Sequence, residues 1–279
     1  MGEDGSQANV GGVLVSDPQR LVVSWDLNSE WKPDARMISQ GEVKFIVGAP
    51  DPMRFELEHR SFENMGAEAG AFMRAPRAFK VMATARLLDI DHTLRVVDLR
   101  KGEQMSPEYA ALNPNMRMPT LEDGDYVLWE SNAILQYLAS KRPDSGVWPE
   151  DARARLDVTR WQFWDLAHWD SACAVFAFEY VAKRLLRGDS EPDMAAIAKG
   201  TEAFHRVAKV LDGQLQEQRF VTGKTLTLAD FSLGSALNLA GVARYPLHPY
   251  GAIKRWHGEL MALPAWQQTL AACALPTAA

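Results

Sequence analysis

A chain of 279 residues has the length for one large or two modest domains with real cores. Hydrophobic residues make up 47% and charged residues 24%, ordinary globular values, and a net charge of −6 argues against a nucleic-acid binder, which needs a basic face. Two isolated cysteines, Cys173 and Cys273, offer no CxxC, no zinc spacing and no disulfide framework, and no apolar run approaches the roughly 20 residues of a membrane helix.

The opening MGEDGSQANV is polar and acidic, unlike a signal peptide. With the sparse cysteines it leads to the expectation of a cytoplasmic protein. Residues 1–65 mix glycines and prolines with β-like runs at Gly12–Val15, Leu21–Val23, Val43–Val47 and Phe55–Glu58, and read as an N-terminal extension without a coherent domain.

Residues 66–141 read as α/β. Pro76 suits a first helical turn. Arg77 to Leu88 follows as a helix with Phe79, Met82, Ala83, Leu87 and Leu88 on its apolar side. A strand is expected over Thr93–Leu99, then a short helix over Pro107–Leu112. The next stretch, NPNMRMPTLEDGDYVLWESNAILQY from Asn113 to Tyr137, compresses two short strands, a turn at Asp123-Gly124 and a helix start. Ser131 stands as N-cap of a helix through Ala133, Ile134, Leu135, Tyr137 and Leu138. Two readings stand for Glu130-Ser131. They are a cap with a dipole-complementing acid, or a ligand site in which the helix N-terminus takes a carboxylate and Glu130 an ammonium group.

Residues 142–149 read as a linker, and residues 150–279 as all helix. Arg153 to Tyr180 carries helical spacing through Leu156, Trp161, Trp164, Leu166 and Ala167, and Pro192 opens a second long helix. Thr227-Leu228-Ala229-Asp230 is a capping-box variant with Thr227 as cap and Asp230 at the third helical position, a structural role.

The stretch from Asn113 to Tyr137 resembles the glutathione-binding half of cytosolic glutathione transferases, of the bacterial, theta-like kind. The resemblance runs from Pro76 to Leu270. It implies an α/β thioredoxin-like domain followed by an all-α helical bundle. It also implies a homodimer without nucleic-acid or membrane partners, and glutathione as co-substrate with no metal. Carried over, it makes Met118 the backbone partner of the glutathione cysteine, ahead of a cis Pro119. Glu130 and Ser131, with Asn132 beside them, hold the γ-glutamyl end, and Arg117 meets the glycine carboxylate.

The chemistry the resemblance implies is ionisation of a thiol whose free pKa is near 8.5, followed by attack on a small apolar electrophile. The family places a Ser, Tyr or Cys at the start of the first helix. This chain departs from that pattern, since Phe72-Met73-Arg74-Ala75 carries neither hydroxyl nor thiol. Ser61 is the nearest upstream hydroxyl, and Arg74 or Arg77 offers a guanidinium in place of one. Trp161, Trp164 and His168 are the candidates for lining a second-substrate pocket. The alternatives are another glutathione-dependent reaction (dehalogenation, ether cleavage, isomerisation) or a non-catalytic ligand-binding relative.

Overall fold

The computed structural model describes residues 13–17, 20–27, 33–44, 75–95, 97, 101–184 and 191–273. Ser61, Arg74 and the run Phe55–Glu58 lie outside them.

Strands β1 (Val13–Asp17), β2 (Arg20–Leu27) and β3 (Pro33–Lys44) form an antiparallel sheet in the order β1-β2-β3. The β1–β2 register ends at Asp17↔Arg20. The sequence hides β3 because most of it is polar, and only Val43 and Lys44 fall in a run that reads as β.

The α/β part begins with α1 (Pro76–Leu87), which has proline in its first turn and Ala75 as its N-cap residue. Phe79, Val81, Met82, Ala83 and Ala85 are buried, and Phe79 packs on Trp266 with ring centroids 4.9 Å apart. Of the strand expected over Thr93–Leu99, Thr93 and Arg95 make isolated bridges, while 96 and 98–100 fall outside the described residues. Helix α2 (Pro107–Leu112) is capped by Ser106, whose hydroxyl accepts from the Tyr109 N–H at 3.1 Å.

Strands β4 (Thr120–Asp123) and β5 (Tyr126–Trp129) form an antiparallel hairpin, with register Thr120↔Trp129 and Asp123↔Tyr126. Gly124, at φ 61°, supplies the left-handed backbone of its two-residue turn. Helix α3 (Ser131–Ser140) follows directly and buries Ile134, Leu135, Leu138 and Ala139.

The remainder is helical. Helix α4 (Ala152–Trp164) is capped by Asp151 and runs through a π-helical turn, Asp165–Trp169, into α5 (Asp170–Ala177) and a second π turn, Phe178–Ala182. Helix α6 (Met194–Glu217) starts two residues beyond Pro192, because Asp193 caps it by accepting from the N–H groups of Ala195 and Ala196. Helix α7 (Leu228–Gly234) is buried along its whole length. It continues as a 3-10 turn, Ser235–Leu239, before α8 (Gly251–Met261) and α9 (Pro264–Ala272). A Cβ on Gly234 would lie 2.3 Å from Leu260 and 3.2 Å from Trp266, so glycine lets α7 approach α8 and α9. One apolar cluster joins α1 and α3 to α4–α9. Among the described residues no helix is long and apolar enough to cross a membrane.

Candidate functional site

The loop between α2 and β4 is held by its own side chains. Asn113, 2% exposed, donates from its amide nitrogen to the Arg117 carbonyl at 2.6 Å and to Thr120 Oγ1 at 3.1 Å. Its amide oxygen accepts the Asn115 N–H at 3.0 Å, an Asx turn. Tyr109 donates its hydroxyl to the same Arg117 carbonyl at 2.8 Å. These bonds fix the peptide leading into Met118-Pro119, which is cis.

On the far side of the hairpin, Glu130 is the N-cap residue of α3, with φ 72° and ψ 111°. A non-glycine residue there is strained, and such strain gathers at ligand clamps. Ser131 therefore does not cap α3, as the sequence suggested. It is the first helical residue, and its hydroxyl makes no cap bond. Ser131 is 2% exposed and its Oγ has no hydrogen-bond partner. A buried hydroxyl left unpaired costs about 1–3 kcal/mol unless a ligand or water reaches it.

Arg77, Asn113, Asn115, Arg117, Met118, Pro119, Glu130 and Ser131 line one cleft of about 240 Å³. It carries two guanidinium groups, one carboxylate, a helix N-terminus and cis-proline backbone. Arg77 reaches it from α1 and donates to Asp170 at 2.5 Å. Burial pulls its pKa down, but Asp170, followed by Glu130 and Asp165, leaves it raised overall. Among the described residues lining the cleft, Ser131 carries the one hydroxyl and none carries a thiol.

Other sequence candidates fall elsewhere. Asn132 turns away from the cleft: its amide nitrogen donates to the Gln162 carbonyl at 2.9 Å and its amide oxygen accepts from Ser232 at 2.9 Å, so it ties α3 to α4 and α7. Trp161 is core, Trp164 is half-buried and His168 is exposed; the three interact by rings along one helix and do not line the cleft. Thr227 and Asp230 form a capping box on α7. Asn113, Asn115 and Tyr109 escaped the sequence reading. The signal for the first two was the Asn-Pro-Asn turn itself, whose side chains hydrogen-bond their own backbone. No group of three or more potential metal ligands exists among the described residues.

A family model described as glutathione S-transferase, N-terminal domain, matches residues 71–140, and one described as glutathione S-transferase, C-terminal domain, matches residues 194–259. The chain is 33% identical over 210 residues to glutathione S-transferase 3 of Zea mays, covering 72% of this chain and 92% of that one. It is 28% identical over 212 residues to a glutathione S-transferase of Hyoscyamus muticus, covering 74% and 98%. Among solved structures, the glutathione-bound theta class enzyme of Xanthomonas axonopodis pv. citri matches with a TM-score of 0.63 at 26% identity, covering 74% of this chain and 95% of that one. The architecture held in common is a thioredoxin-like α/β domain followed by an all-α domain.

Proposed function

Because this chain belongs to the glutathione S-transferase family, we propose that its cleft binds glutathione and ionises the thiol for attack on small apolar electrophiles. The observation that carries this reading is the buried, unpartnered Ser131 hydroxyl at the start of α3, beside strained Glu130 and opposite cis Met118-Pro119. A γ-glutamyl carboxylate on Ser131 and the first N–H groups of α3 gains a hydroxyl donor and a favourable dipole. Glu130 takes the ammonium, the Met118 backbone pairs with the cysteinyl unit, and Arg117 meets the glycine carboxylate.

Arg77 is the thiol-activating group in this reading, since it lines the cleft and Ala75, at the start of its helix, carries no hydroxyl. A cation beside sulfur lowers the thiol pKa. The proton leaves to solvent, the thiolate forms a carbon–sulfur bond, and the electrophile expels its leaving group with the bonding pair. Residues 66–141 are the glutathione-binding domain in this proposal, and 150–279 the domain that offers the electrophile an apolar wall. Homodimerisation and cytoplasmic residence come with the family, and the Xanthomonas structure supports a theta-like placement.

A second reading, a non-catalytic ligand-binding relative, is favoured by one observation: Ala75 stands at the start of α1. Glutathione calorimetry with an absorbance titration of bound thiolate decides between them. Binding with a depressed thiol pKa supports the transferase; binding without the depression supports the relative. No binding, or retention unchanged in a Glu130→Ala/Ser131→Ala double variant, refutes the site.

A further inference from the structure

The two ion pairs between α1 and the α4–α5 helix form a ladder that depends on the π turn. Arg77 and Lys80, three residues apart, share a face of α1. Lys80 donates to Asp165 at 3.0 Å with both side chains 2% exposed. Arg77 pairs with Asp170 at the cleft end, its side chain 41% exposed. Residues five apart in a regular α-helix point about 140° away from each other. Asp165 and Asp170 reach the same face because the Asp170 N–H donates to the Asp165 carbonyl, the i→i+5 bond of the π turn.

The acidic groups acting on Arg77 are Asp170, Glu130 and Asp165, and Asp165 is taken by Lys80. Glu130 lines the cleft, and Asp170 reaches Arg77 from the helical half. Without Asp170, the anion left in the cleft for a flexible guanidinium is Glu130, the group assigned above to the ligand's ammonium. We propose that Asp170 is a positioning residue. It holds Arg77 against the cleft wall and off Glu130, so that the guanidinium meets the ligand sulfur while Glu130 stays open. The proposal rests on the glutathione reading and deepens it, because the helical domain then sets thiol ionisation in the other domain through the π turn.

The lower rung is the internal control. Asp165 has no place in the cleft, and its loss leaves a buried lysine alone. The test is the absorbance titration of glutathione bound to the full chain, with thermal unfolding, in wild type, Arg77→Met, Asp170→Asn, Asp170→Glu and Asp165→Asn. Asp170→Ser replaces Asp170→Asn if the latter does not fold.

In Asp170→Asn, the pH of half-ionisation of the bound thiol is expected to rise by about 1 and the glutathione Kd by about tenfold, with Asp170→Glu restoring both. Asp165→Asn is expected to lower the unfolding midpoint by several degrees and leave thiol ionisation in the folded fraction at its wild-type pH. A wild-type titration in Asp170→Asn, alongside a shifted one in Arg77→Met, overturns the positioning role and leaves the cleft reading standing. Equal shifts in Asp165→Asn and Asp170→Asn also overturn it, since domain docking alone then suffices. Wild type that does not bind glutathione removes both readings together.

Discussion

Asp230 and Ser131 both sit in the first turn of a buried helix, and they differ in where their hydrogen bonds go. Asp230 is fully buried and its carboxylate is surrounded by donors. The Thr227 N–H is at 2.8 Å, the Val221 N–H and the Trp256 indole N–H at 2.9 Å, and the Thr227 hydroxyl at 3.2 Å. Burial pushes its pKa up to about 6 while these donors pull the other way. Ser131 has equal burial and no partner, but it borders a cleft. The contrast separates polar groups that complete the fold from polar groups left for something else to complete.

The largest effect expected from this contrast is at Asp230. Asp230→Ala strands two backbone N–H groups and an indole N–H in the core and removes a cap. That should cost on the order of 3 kcal/mol or more in urea unfolding, while glutathione Kd in the folded fraction stays near wild type. A comparable loss of affinity would make Asp230 part of the site.

Asn132→Ala is next. It deletes two buried hydrogen bonds, to Gln162 and from Ser232, and should cost about 2 kcal/mol of stability with little change in affinity. The opposite pattern would return Asn132 to the binding set.

Ser131→Ala reverses the pattern. No intramolecular bond is lost, so urea unfolding should stay within about 0.5 kcal/mol of wild type, while glutathione Kd should rise about tenfold, roughly 1.4 kcal/mol. Ser131 variants that unfold without losing affinity would break the comparison.

What the sequence disclosed follows the same division. The hairpin, the cap on α7 and the cleft residues Met118, Pro119, Glu130 and Ser131 were legible because their signals lie within a few neighbouring residues. The π turn was not: the apolar spacing from Arg153 to Tyr180 reads as one continuous helix, and an i→i+5 bond leaves no mark on that period. The tie of Asn132 to Ser232 was not legible because the two lie 100 residues apart, a separation that adjacency to Glu130-Ser131 does not disclose. Ser131 as cap failed by one position: Glu130, at positive φ, is the N-cap residue, so the helix starts one residue earlier than a Ser131 cap implies. The second-substrate candidates Trp161, Trp164 and His168 run along one helix outside this cleft, with Trp161 in the core and Trp164 half-buried, and a pocket beside them stays a proposal.

His257 sharpens the contrast from outside the site. Its Nε2 is buried without a partner, like Ser131 Oγ, yet it faces Trp266 at a ring separation of 6.4 Å and does not line the cleft beside Ser131. An unpaired polar atom there should act on stability alone. Burial lowers its pKa from 6.5 to about 4, so the unfolded chain takes up a proton that the folded chain refuses. Its contribution is therefore fully present above about pH 6.5 and is lost as pH falls toward about 4. Asp165 and Asp230, both raised to about 6 by burial, act with opposite sign over much of this range, which is why the wild-type profile alone does not isolate the histidine. The difference between wild type and His257→Leu does. From about pH 7 to about pH 6 the wild type should lose on the order of 0.5–1 kcal/mol more than the variant, with glutathione affinity equal in both. If affinity falls in His257→Leu, an unpaired buried atom alone would mark a site, and the open cleft beside Ser131 would no longer be what distinguishes it.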